Sequence, residues 1–88
     1  MTTTISDVVL TGTAYQDVYA ATSIVLGTPL IVQNKSASTI FLQIKATIPD
    51  NSNRDGYVLF PQQSALVENA TEGLWAFGNG HMHVEQSA

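Results

Sequence analysis

The chain has no cysteine, so neither a disulfide framework nor a thiolate zinc site can staple it, and its cysteine usage is silent about redox compartment. It is also short of charge. Only 11% of its 88 residues are charged, well below the customary quarter or so. The cations number three, Lys35, Lys45 and Arg54, against seven carboxylates, for a net charge of −4. That balance offers no basic stripe for phosphates, which sets nucleic acid and anionic membranes aside as expected partners. No segment approaches the run of about 20 apolar residues that spans a bilayer. The start "MTTTISDVVLTG" lacks both the basic opening and the continuous apolar stretch of a secretory signal, so the expectation is synthesis and retention in a cytoplasm. The triplets Asn34-Lys35-Ser36 and Asn69-Ala70-Thr71 then meet no glycosyltransferase.

What the chain does have is apolar residues, 44% of the total, set among Thr, Ser, Asn and Gln. A length of 88 residues makes one domain with a modest core. The clearest pattern lies in "STIFLQIKATIP", where Ile40, Leu42, Ile44, Ala46 and Ile48 alternate with Thr39, Phe41, Gln43, Lys45 and Thr47. Period two in a β-branched segment is the signature of a half-buried strand, here ending before Pro49. With "PLIVQN" ahead of it and the turn residues of "NKSAS" between, residues 29–48 read as a hairpin. "PDNSNRDG" reads as a loop. "YVLF", "SALVEN", "GLWAFG" and "HMHVEQ" read as further strands. The Asn79-Gly80 pair predicts that the last two form a terminal hairpin. "DVVLTG" and "YQDVYAATSIVLG" add two strands of poorer alternation, and Ala20-Ala21 could start a helical turn. Seven to eight short strands at roughly ten-residue spacing predict an all-β fold, a small antiparallel sandwich or barrel spanning residues 1–88, with 1–14 a candidate assembly arm.

Two groups of residues invite a functional reading. His81, His83 and Glu85 alternate with Met82 and Val84, so one strand face carries two imidazoles and a carboxylate. Alternation alone explains the spacing. A metal would need three or four converging donors, and the chain has only two histidines. The expectation is therefore no dedicated metal site and no cofactor, the carboxylates of Asp50, Asp55, Glu68 and Glu72 lying in loops whose approach the sequence leaves open. With those histidines accounted for, no base remains to activate a nucleophile, and no glycine-rich turn leads into a helix that would cradle phosphate, so no enzymatic activity is expected. Trp75 and Phe77 share one face of their strand and Leu74 and Ala76 the other. The simpler expectation puts Trp75 in the core beside Tyr57 or Phe60. The alternative is an exposed aromatic patch for a protein or a sugar ring. Phe41, on the polar side of its strand, is a candidate subunit contact, so Phe41, Trp75 and Phe77 are the candidate partner-binding residues.

"YQDVYAATSIVLGTPLIVQNKSASTIFLQIKATIP", "DGYVLFP" and "GLWAFGNGHMHVEQ" together resemble the small β-rich virion proteins of tailed bacteriophages. The shared cadence is an apolar "LIVQN" strand, an immediate hairpin, a Pro-bounded loop, an Asp-Gly-led strand and a closing Trp-Ala to Gly-x-Gly hairpin, covering residues 15–86. The resemblance implies a structural role: capsid decoration, or a small part of a head fibre or tail. It implies a symmetric homo-oligomer, a trimer for example, bound to a capsid or tail protein and located in the virion after synthesis in the host cytoplasm. It carries over no catalytic residue. The competing expectation is a carbohydrate- or receptor-binding module of a phage fibre or tail, built on the aromatic residues.

Overall fold

A computed structural model describes residues 7–68 and 70–86. Eight strands form two four-stranded antiparallel sheets. β1 (Val8–Thr11), β3 (Leu30–Asn34), β6 (Ser64–Val67) and β8 (Asn79–Gln86) make one sheet in the order β1-β8-β3-β6. β2 (Gln16–Asp17), β4 (Ile40–Ile44), β5 (Tyr57–Leu59) and β7 (Leu74–Phe77) make the other, in the order β2-β7-β4-β5. Strand pairs nest around the middle of the chain, β4 with β5, β3 with β6, β2 with β7 and β1 with β8. This rolled order is that of an eight-stranded jelly roll, a form of β-sandwich.

The inner faces are made by the alternation that the sequence displays. Val8 and Leu10, Leu30 and Val32, Ile40 and Leu42, Leu74 and Ala76, and Met82 and Val84 all point between the sheets and are buried. Each fully buried aliphatic side chain contributes about 1.5–3 kcal/mol relative to exposure, and this core is the main stabilising term. α1 (Val18–Thr22) adds Val18 and Tyr19 to it and packs on β1, β2 and β7. Asp17 caps the helix by accepting a hydrogen bond from the Ala20 amide at 3.2 Å. The helical turn therefore starts earlier than Ala20-Ala21, and of the strand read over 15–27 only Gln16–Asp17 is extended, the helix taking Val18–Thr22 and turns the residues after it. Within the candidate assembly arm 1–14, Val8–Thr11 forms β1 and pairs with β8, while residues 1–6 lie outside the described residues.

Both hairpins read from the sequence are corrected. β3 and β4 lie in different sheets, as do β7 and β8, so "NKSAS" and "GNG" are corners that carry the chain across the sandwich. At the first corner the reason is a buried amide. Asn34 is fully buried; its Nδ2 donates to the carbonyls of Ser38 at 2.7 Å and Leu59 at 2.8 Å, and its Oδ1 accepts from the Ser36 amide and hydroxyl. That knot folds 34–38 back on itself and ties it to the opposite sheet, where a two-residue turn would have kept both strands in one sheet. At the second corner Gly78 is wedged so closely that a Cβ there would lie 2.8 Å from Ile40 Cγ1. A residue without a side chain lets the backbone pass over the core, and Asn79-Gly80 becomes the start of β8, paired with Thr11 and Leu10. The strand read over 39–48 ends at Ile44, because the next residues leave the sheet to begin the loop described below, and Ile48 is exposed.

Candidate binding surface

The outer face of the β2-β7-β4-β5 sheet gathers the three predicted partner-binding residues. Phe41 of β4 is the cross-strand neighbour of Phe77 on β7, and Gln43 that of Trp75. All three aromatic residues are half-buried on this outer face, while Leu74 and Ala76 fill the core. The expectation of Trp75 in the core is corrected accordingly, as is its placement beside Tyr57 and Phe60, both of which are exposed. The register decides this. β7 has one face toward β8's sheet, and the small, aliphatic pair Leu74 and Ala76 takes it, forcing both large rings outward.

The rings are covered from within the chain. The loop from Lys45 to Gly56 crosses the face, and the Arg54 guanidinium carbon sits 3.8 Å from the Phe77 ring centroid and 5.5 Å from that of Phe41. Such stacking is worth about 0.5–1 kcal/mol at exposed sites. Tyr15 also packs on Phe77, ring centroids 5.3 Å apart and planes tilted by 52°. The loop is pinned at both ends by aromatic donors. Trp75 Nε1 donates to the Lys45 carbonyl at 2.9 Å, and the Tyr15 hydroxyl donates to the carbonyl of Asn53. Gln43 Nε2 donates to the Tyr15 hydroxyl at 3.1 Å and is buried, although its place in the alternation marked it as outward and solvated. Gly56 closes the loop at φ +94, and a Cβ there would fall on the Leu42 carbonyl oxygen, so only glycine fits. Tyr15 and Arg54 are the residues that the sequence reading missed. Tyr15 precedes a two-residue strand and Arg54 lies in an irregular loop, so neither had periodicity to expose its role.

The outer face of the β1-β8-β3-β6 sheet holds the histidines. Met82 and Val84 are in the core, and His81, His83 and Glu85 face out, as the alternation requires. The carboxylate that reaches them is Asp7, not one of the loop acids. Asp7 Oδ2 accepts from Lys35 Nζ at 2.8 Å and lies 3.6 Å from His81 Nδ1, while Asp7 Oδ1 is 3.4 Å from His83 Nδ1. His83 Nε2 faces Glu85 Oε1 at 3.1 Å. The Lys35 hydrogen bond holds the Asp7 carboxyl below its ordinary range, against the opposing effect of partial burial, and the hydrogen bond from His83 adds to the lowering. The two nitrogens of His83 point to carboxylates on opposite sides of the ring, a diverging geometry. Among the described residues no cluster of three or more His, Cys, Asp or Glu side chains is arranged to hold a metal ion.

No family model, no curated protein and no solved structure matches this chain.

Proposed function

We propose that the chain is a non-enzymatic structural component of a tailed-phage particle, most simply a capsid decoration protein, that assembles with copies of itself and binds another virion protein. The observation that carries this reading is the jelly-roll strand order, an architecture whose known users include viral capsid and lectin domains. Fold alone does not assign function, and two properties of the surface add support. The surface is sparsely charged, and large apolar side chains such as Tyr57, Phe60 and Leu66 stand more than half exposed, as suits a chain covered in an assembly. A carbohydrate-binding module is the second reading, favoured by the half-buried Trp75 beside Phe77 on an outer sheet face. It is the weaker one, because Arg54 occupies the faces of Phe77 and Phe41 on which a sugar ring would stack.

Two measurements test the proposal together. Mass spectrometry of purified particles from a producing host should find the chain as a stoichiometric component, and sedimentation at tens of micromolar should show a closed oligomer. A 9.4 kDa monomer that shifts on a glycan array would replace this reading with the second, and particles lacking the chain would overturn the virion assignment itself.

A further inference from the structure

The two lateral edges of the sandwich end differently. α1 packs where β1 and β2 form one edge, whereas β5 and β6, at the other, are the last strands of their sheets. Between β5 and β6 the sheets part into a cleft of about 290 Å³. Leu42 and Ile44 line its inner part, and Tyr57, Ala65 and Leu66 its flanks, so it opens directly onto the core. Glu68 is the one charged residue of the lining. Among the described residues Glu68 forms no ion pair. The same edge carries exposed Tyr57, Val58, Phe60 and Leu66, at 62%, 43%, 59% and 55% of their surface. Unpaired strand edges with apolar flanks are templates for an added strand.

We infer that this cleft receives an extended segment of another protein. The segment adds to the β6 edge through its main chain, drops one apolar side chain between the sheets, and sets a lysine or arginine against Glu68. An extended segment follows from the free backbone groups of the edge, an apolar anchor from the lining, and a cation from the lone carboxylate. A second copy of this chain fits less well. None of its edge strands, β1, β2, β5 or β6, contains a lysine or arginine; Lys35 is engaged with Asp7, Arg54 lies on the aromatic rings, and the exposed Lys45 sits in the loop after β4 and not on an extended edge segment. This inference rests on the proposed function only in requiring a protein partner, and it names the surface and chemistry of that contact.

The experiment is selection of a yeast-displayed random heptapeptide library against the full chain, which reads the cleft without any particle and so separates its failure from that of the virion assignment. The expected result is enrichment of peptides with a large apolar residue and a nearby lysine or arginine. Ala65→Trp, which fills the cleft, should weaken their binding by about tenfold or more, with the circular-dichroism spectrum unchanged. Should that variant fail to fold, Leu66→Asp at an exposed position should give the same loss. Glu68→Lys should reverse the preference toward peptides in which glutamate replaces the basic residue. Absence of enrichment, enriched peptides without a cation, or binding that withstands both Ala65→Trp and Leu66→Asp overturns the inference. An oligomer that Leu66→Asp dissociates while no peptide is enriched assigns the edge to a second copy and overturns it as well.

Discussion

The two outer faces of the sandwich start from the same strand alternation and end as different surfaces. On one, His81, His83 and Glu85 alternate with core residues and meet the Asp7–Lys35 ion pair in a chain of imidazole–carboxylate contacts next to solvent. On the other, Trp75, Phe77 and Phe41 alternate with core residues and lie beneath a loop, with Tyr15 and Arg54 against the rings. The first face is open to solvent, its imidazoles and carboxylates set among the exposed side chains of Val9, Ile31 and Leu66. The second is a small satellite core, because a loop of sufficient length follows β4 and has aromatic donors to hold it down. Alternation states which residues face out; whether "out" means water is decided by what the connecting segments do.

Substitution separates the faces most sharply at Phe77. Phe77→Ala removes a ring packed by Tyr15 and Arg54, and urea unfolding should show a loss of about 2 kcal/mol. A loss below about 0.5 kcal/mol would place this face in the same class as the histidine face. Next in size is Tyr15→Phe, which keeps the ring and deletes the hydroxyl that joins Asn53 to Gln43. Its expected cost is about 1 kcal/mol, with faster amide hydrogen exchange confined to residues 50–56. Arg54→Ala should cost about 0.5–1 kcal/mol, little altered by added salt, since ring stacking is not an exposed ion pair.

The smallest effects belong to the histidine face. His81→Gln with His83→Gln should shift stability at neutral pH by no more than about 0.5 kcal/mol, the ordinary range for surface ion pairs and exposed positions. Acid sharpens the contrast. Asp7 has a depressed native pKa, so the stability it contributes is complete above its unfolded value near 3.9 and is lost as pH falls through the lower native value. Asp7→Asn should remove that part of the acid dependence and leave the Phe77→Ala cost unchanged, as expected for sites on opposite faces. A double-mutant cycle of these two showing coupling would contradict the separation of the faces.

Much of the fold was legible in the residues. "IFLQI", "LWAF" and "MHV" each announce a strand and its core face, and the placement of Met82 and Val84 inside with His81 and His83 outside follows from period two alone. The candidate residues Phe41, Trp75 and Phe77 were legible one at a time, and only the register between β4 and β7 brings them onto one face. The reading went wrong at "NKSAS" and "GNG" because local turn chemistry favours a hairpin at both. What overrode it is non-local: Asn34 donating to Leu59, 25 residues away, and Gly78 lying on Ile40.

Composition and alternation by themselves determined that this chain folds as an all-β module with few charges, because strand periodicity and hydrophobic burial are properties of short stretches. Which strands share a sheet, why Trp75 lies under a loop and not in the core, how Asp7 comes to the histidines, and where the sheets part between β5 and β6 were decided by the tertiary structure. Each depends on contacts between residues far apart in the chain, and such contacts form only when the closure of the whole sandwich compensates the entropy of bringing them together.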